Sequence, residues 1–447
     1  MNDLTKGEIH HQLVYYMFPV LLTQLLQQVY GMADTAIVGH FAEADALAAV
    51  GIGSLLTSVM VNFFVGMATG ISAILASAYG GQNYRKFGEN LSLILWVSMI
   101  IGTAFTAVGL LGIHVLLECV GTPESIEPLC KTYLGICFLG MVAQTVYNAG
   151  NAAFRAAGDT RTPLYILAFT VLLNVVLDVL MVAGMHQGVA GAAWATVCSQ
   201  YLSMVLMLVG LRRMPKKLRF NLMPQKVHVE DLKQILITGI PSGMQALLMS
   251  ISSLIIQTSI NQFGESAIAG MTVYAKIEGF LYLPLFAMGI AITGFIGQNA
   301  GAGKWQRVKD GKRIGMVIAL GIGIGFSTVL ILLSRQAAGL FTADEAVIAN
   351  AVEAVQWTFP FYCLYAVNQI YIGCVRGLGR TIKVMLITLV GYCFFRVLWC
   401  ILVLPLYFSM RTIYLSYDLS FMVMLVLLIP VWRKSLLQSQ RAFENKY

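Results

Sequence analysis

Twelve long apolar runs follow one another along the chain, separated by short polar stretches that hold nearly all of its ionisable side chains. The runs lie near 13–38, 46–77, 91–113, 130–153, 163–183, 189–211, 235–261, 267–297, 314–334, 351–374, 383–404 and 413–433. About 20 apolar residues suffice to cross a bilayer as a helix. A helix closes its amide ladder within itself, which hydrocarbon demands of any spanning backbone. The pattern therefore predicts an all-α integral membrane protein with twelve transmembrane helices. Gly and Pro inside the runs fit that reading, since membrane helices tolerate both. The polar opening MNDLTKGEIHHQLVYY has no small-residue cleavage site behind a short apolar core, so a retained first span is expected rather than a removable signal peptide.

Composition strengthens the picture. Of 447 residues, 58% are hydrophobic and 11% charged, against about 25% charged in soluble domains, and the mean hydropathy is +0.76. The excess of Lys and Arg, which gives a net charge of +8, is distributed by loop. With a cytoplasmic N-terminus, 24 of the 29 basic residues fall on the cytoplasmic side: Lys6, Arg85, Lys86, Arg155, Arg161, the linker at 212–234 (with Arg219 and Lys226), the loop at 298–313, Arg376, Arg380, Lys383, and a tail that includes Lys446. The other face holds Lys131, Arg335 and Arg411. Basic residues favour the cytoplasmic side, so both termini are expected there, in a cell (inner or cytoplasmic) membrane. Because the positive charge sits in short loops beside spans, it calls for no nucleic acid. The eight cysteines show no CxxC pair and read as small buried hydrophobes.

The chain repeats itself. Pro19 pairs with Pro241; Phe41-Ala42-Glu43 before ALAAV pairs with Phe263-Gly264-Glu265 before AIAGM, with one residue deleted. AYGGQNYRK (78–86) then matches NAGAGKWQR (299–307), and FRAAGDT (154–160) matches VRGLGRT (375–381), both at a displacement of 221. This implies a six-helix lobe at 1–211, a basic linker at 212–234, a second six-helix lobe at 235–434 and a tail at 435–447. Six is even, so both lobes enter from the same side and form parallel, pseudo-twofold-related repeats with a substrate route between them.

The run Pro19, Gln27, Tyr30, Asp34, followed by ALAAVG and AYGGQNYRK, together with FRAAGDTRTP, VRGLGRT and IGQNAGAGK, resembles the multidrug and toxic compound extrusion (MATE) family over essentially the whole chain. The resemblance implies a two-lobe exporter that exchanges organic, often cationic, compounds for inward Na+ or H+, with no other cofactor. It also implies a cation site at Asp34, Asn174, Asp178 and Thr196, further polar cavity positions at Tyr133, Asn148 and Asn151, and a bend of the first helix at Pro19. The NorM-type branch has acids within spans 7 and 10; here span 7 has none and span 10 has only Glu353 at its edge. The resemblance is closer to the DinF/MepA-like branch.

The residues support such a site on their own. A carboxylate in hydrocarbon costs several kcal/mol, roughly 3 on insertion scales, which marks Asp34 and Asp178 as functional. Asn174 and Asp178 are four apart and share a helix face. With Asp34 and Thr196 they supply oxygens from three helices, the donors a hard cation such as Na+ prefers; a proton can use the same place, and two neighbouring acids titrate as a unit. The repeat counterparts of Asp34, Asn174 and Asp178 are Ile256, Phe395 and Trp399, so the fold does not require the polar set. Gln27 and Tyr30 join the substrate cavity set, as do Lys276, Glu278 and Arg396, each of which competes with a purely structural role; Asp418 reads as a cap or a snorkelling acid. Neither a Walker sequence, a filter loop nor a catalytic constellation is present, which argues against a pump driven by ATP, a channel and an enzyme. Small organic substrates and membrane lipids are the expected partners, with no obligatory protein partner and a monomeric state. The alternative is a flippase for lipid-linked precursors, which would want a basic cavity that Arg396 and Lys276 alone could supply.

Overall fold

The computed structural model describes residues 3–41, 44–218, 220–221 and 227–445; Ala42, Glu43, Arg219, Lys226 and Lys446 lie outside the described residues. Every regular element among the described residues is helical. The first half comprises α1 (Ile9–Phe41), α2 (Ala44–Gly80), α3 (Tyr84–Cys119), α4 (Glu127–Leu139), α5 (Met141–Ala156), α6 (Arg161–Asp178), extended by a π-helical segment at Val179–Gly184, and α7 (Gly188–Arg212). The second comprises α8 (Val229–Ile260), α9 (Glu265–Gly301), α10 (Trp305–Leu332), the short α11 (Ser334–Gly339), α12 (Glu345–Thr358), α13 (Tyr362–Gly377), α14 (Thr381–Thr388), α15 (Phe395–Leu402) and α16 (Met410–Glu444). A π-helical segment, Leu389–Phe394, joins α14 to α15. Counting α4–α5, α6 with its π segment, α12–α13 and α14–α15 as single rods, and setting aside the six-residue α11, gives the twelve expected segments.

Among the described residues, nine of these are long and apolar enough to cross a membrane, and a tenth is the α4–α5 pair, bent by 43°. Two fall short, one through its polar side chains and one through a break. α1 carries Gln24, Gln27, Gln28 and Asp34, and the α12–α13 rod is interrupted by a 3-10 turn at Phe359–Phe361. The rods overrun the apolar runs that announced them. At 1.5 Å per residue the 37 residues of α9 span roughly 55 Å, well beyond a hydrocarbon core of about 30 Å, so each helix carries its loop-side polar residues into the interface.

Helix ends repeat along with the sequence. Gly158 (φ 78°) and Gly379 (φ 74°), at the matched FRAAGDT and VRGLGRT turns, are both left-handed, as are Gln82 (φ 55°) and Gly303 (φ 70°). A left-handed residue after a helix lets the chain reverse into the next one. Close helix approach depends on small residues: a Cβ on Gly373 of α13 would stand 2.5 Å from the Gly289 carbonyl oxygen of α9.

Contacts divide the chain into two compact units. Among the described residues, unit 1 lies within Leu22–Gly239, and unit 2 is Asp3–Leu21 with 240–445. The division therefore cuts through α1 just after Pro19 and through α8 just before Pro241. In unit 2, the matched block 299–307 and Gln298 beside it hold the start of the chain. The Leu4 amide donates to Gln298 Oε1 (3.0 Å), Asn299 Nδ2 to the Leu4 carbonyl (3.1 Å), Lys304 Nζ to the Thr5 carbonyl (2.8 Å) and Arg307 Nη1 to the Gly7 carbonyl (2.9 Å). In unit 1 the corresponding block ties down the start of α8, with Lys86 Nζ 2.6 Å from Asp231 Oδ2. The family-like loop blocks thus have an anchoring role.

Candidate functional site

Unit 1 assembles a polar cluster around two buried acids, Asp34 and Asp178. Asp34 sits on the second half of α1, Tyr30 one turn earlier, Tyr133 on α4, Asn174 and Asp178 on the last turns of α6, and Thr196 on α7. Asp34 is 6% exposed, Asn174 and Asp178 are fully buried, and Thr196 is 7% exposed. The Asp178 carboxyl lies within hydrogen-bonding reach of Asp34, and Tyr30 stands beside Thr196. The Tyr133 hydroxyl donates to Asp34 Oδ2 at 3.5 Å. The π-helical segment begins at the residue after Asp178; such segments widen a helix and recur at functional sites.

What this cluster lacks is pairing: the Tyr30 hydroxyl and Asn174 Nδ2, which could donate, are buried without a hydrogen bond among the described residues. Asp34 Oδ1, both Asp178 oxygens, Asn174 Oδ1 and Thr196 Oγ1 are buried without a hydrogen bond among the described residues. A buried carboxylate left unpaired costs several kcal/mol, and two ionised carboxylates side by side can only accept. A proton or a cation between them removes that cost. The donor set is all oxygen, which suits Na+ as cargo. Among the described residues there is no group of three or more His, Cys, Asp or Glu side chains, the arrangement a transition-metal site would need.

The other singled-out residues are placed as follows. Asn148 and Asn151 are buried on α5, and Asn148 Nδ2 donates to the Gln144 carbonyl at 2.8 Å. Neither is hydrogen-bonded to Asp34 or Asp178. Gln27 is half-buried on α1. In unit 2, Glu278 on α9 accepts from the Tyr362 hydroxyl, whereas Lys276 is exposed. Residues two apart on a helix do not face each other, and Lys276 is not among the charges that act on Glu278. Arg396 on α15 is half-buried, and Asp418 on α16 is 1% exposed.

Sequence reasoning missed two supports. The Tyr133 ring lies against the backbone of Gly53 on α2, in space that a Cβ would fill. No motif marks Gly53. Gly53→Val is expected to push Tyr133 away from Asp34 and to lower stability by about 1–3 kcal/mol through overpacking, read as a drop in Tm of the purified protein together with weaker cation dependence of transport. An unchanged Tm with unchanged coupling would show that the ring has other room. The second support is the set of rings around Arg396. Its signal was present as Tyr392–Arg396 and Tyr417–Phe421, both spaced by four, the separation of neighbours on a helix face.

The fold and the cluster agree with what comparison finds. The MatE family model matches residues 19–180 and again 241–402, one match in each half of the internal repeat. The chain belongs to the MatE family, whose members are membrane transporters and not enzymes. It is 28% identical over 392 residues to the Bacillus subtilis (strain 168) protein named "Probable multidrug resistance protein YpnP", covering 87% of both chains. It is also 28% identical over 392 residues to "Probable multidrug resistance protein NorM" of Thermotoga maritima, covering 86% of this chain and 83% of that one. A crystal structure of MATE in the bent conformation superposes with a TM-score of 0.91 at 22% identity, covering 98% of both chains.

Proposed function

We propose that this chain is a secondary-active multidrug exporter of the cell membrane. It expels organic, often cationic, compounds by alternating access in exchange for inward Na+ or H+. The observation that carries this reading is the pair of buried acids, Asp34 and Asp178, with both Asp178 oxygens, Asp34 Oδ1, Asn174 Oδ1 and Thr196 Oγ1 left without a hydrogen bond among the described residues. A cation or proton that completes such a site better in one conformation than in another shifts their balance by that difference in affinity. The names of the relatives support the substrate class. The absence of an acid in the 235–261 run, with Glu353 engaged by Arg411 at 2.7 Å, favours the DinF/MepA-like branch. The deciding experiment is drug movement in proteoliposomes with Na+ and pH gradients imposed separately. One gradient should drive uphill drug movement, and equal movement with neither would sink the proposal.

Both termini and the linker are placed in the cytoplasm, and the protein acts as a monomer. Single cysteines replacing Phe220 and Ala343 should then label from opposite sides of the membrane in intact cells. Labelling from one side would overturn the orientation.

A further inference from the structure

Each half of the chain has charges that the other lacks. At the displacement of 221, the counterparts of Glu278, Arg396 and Asp418 are Thr57, Val175 and Val197. The counterparts of Asp34 and Asp178 are Ile256 and Trp399. Neither charged set is demanded by the shared fold, and the two differ in kind: unit 1 has two acids and no cation, whereas unit 2 has two acids and a guanidinium.

Arg396 is held by rings. Its guanidinium carbon lies 4.2 Å from the Tyr417 ring centroid, 5.1 Å from Tyr392 and 5.6 Å from Phe421, while Nε donates to Ser420 Oγ at 2.8 Å. Aromatic faces can stand in for part of a cation's hydration. The guanidinium acts on both Asp418 and Glu278 through space but donates to neither. Glu278 has the Tyr362 hydroxyl. Asp418 is 1% exposed, and neither of its oxygens meets a donor among the described residues. The other elements packed against α16 bring charges that are engaged elsewhere: Glu353 of α12 is bound to Arg411 at 2.7 Å, Arg376 of α13 donates to Gln245 Oε1 at 3.2 Å, and Lys383 of α14 reaches Gln438 at 3.3 Å.

Two carboxylates and one guanidinium leave one negative charge too many, and of the three groups Asp418 is the one fully withdrawn from solvent. An unpaired buried carboxylate costs several kcal/mol. That cost is greatest at the acid with no hydrogen bond, Asp418. A metal ion is a poor remedy, because the fixed guanidinium repels it and Asp418 offers two oxygens where a hard cation prefers a larger shell. A proton needs one oxygen and no shell.

We propose that unit 2 contains a second exchange site, at Asp418, whose ligand is a proton and not a metal cation, with Arg396 as its built-in counter-cation. The site is separate from the Asp34–Asp178 pair and does not depend on the role proposed for it. The test uses the full chain carrying Asp34→Asn and Asp178→Asn, with infrared difference spectra between acid and alkaline buffers, in sodium and in choline. Beside the bands of the exposed carboxyls, which also protonate in acid, one further C=O band should appear in acid, be unaffected by sodium, and vanish when Asp418→Asn is added. In the otherwise unaltered chain, Arg396→Met should lower Tm by leaving two acids without a counter-cation, and adding Asp418→Asn should recover most of the loss. A role of Arg396 in ring packing alone would give no such rescue. Survival of that further band in Asp418→Asn, its removal by sodium, or a failure of the rescue would overturn the proposal.

Discussion

Asp178→Asn should abolish uphill export while leaving folded protein in the membrane at the normal level. Both Asp178 oxygens are buried without a donor, and the residue lies beside Asp34 at the end of α6. The amide resembles a protonated carboxyl in shape and removes a charge that is costly to bury, so folding should not suffer. What it removes is the ability to gain and lose a positive charge. Without that cycle no gradient can bias one conformation, and a ligand with equal affinity for two states shifts nothing. Gradient-driven efflux should fall to the level of a non-energised control, with unchanged yield and monodispersity after purification. Normal efflux at equal expression would remove Asp178 from the coupling mechanism.

The helices were legible because their apolar runs are long, and the repeat because four separated blocks keep nearly the same displacement. The polar α1 was readable as a span from its length and its matched partner α8. The bend between α4 and α5 was not readable. It falls at Gly140, without a proline, where the Gln200 side chain occupies the space a Cβ would take. The exchange of Asp3–Leu21 into unit 2 was equally invisible, since it arises from side chains of residues 298–307 gripping backbone carbonyls nearly 300 positions away. In the candidate site, the four-residue spacing put Asn174 and Asp178 on one face. That Asp34 meets Asp178, and that Tyr133 reaches Asp34 across the bare backbone of Gly53, are consequences of tertiary packing. Asp418 read as an end-of-helix acid because it lies early in its apolar run. The packing of α15 on α16 buries it and brings Arg396 near.

Asp34→Asn and Asp178→Asn should not be additive. If the two carboxylates hold one cation or proton between them, losing either removes the site. The double variant should then transport hardly worse than the worse single one, as groups that act as a unit do. Two independent sites would instead multiply their losses, so two tenfold defects, each about 1.4 kcal/mol, would compound to a hundredfold. The geometry favours the shared case: the carboxyls are within hydrogen-bonding reach of each other, and Tyr133 supplies Asp34 with a single donor. On the proposed mechanism drug binding should separate from coupling, because occupancy of the cation site would bias the conformation while the drug would be held by contacts elsewhere. The measurement is a double-mutant cycle on gradient-driven efflux, with equilibrium drug binding to the purified variants alongside. Partial single defects that multiply in the double would show two sites where one is argued. Loss of drug binding in step with transport would show that the acids contact the substrate itself.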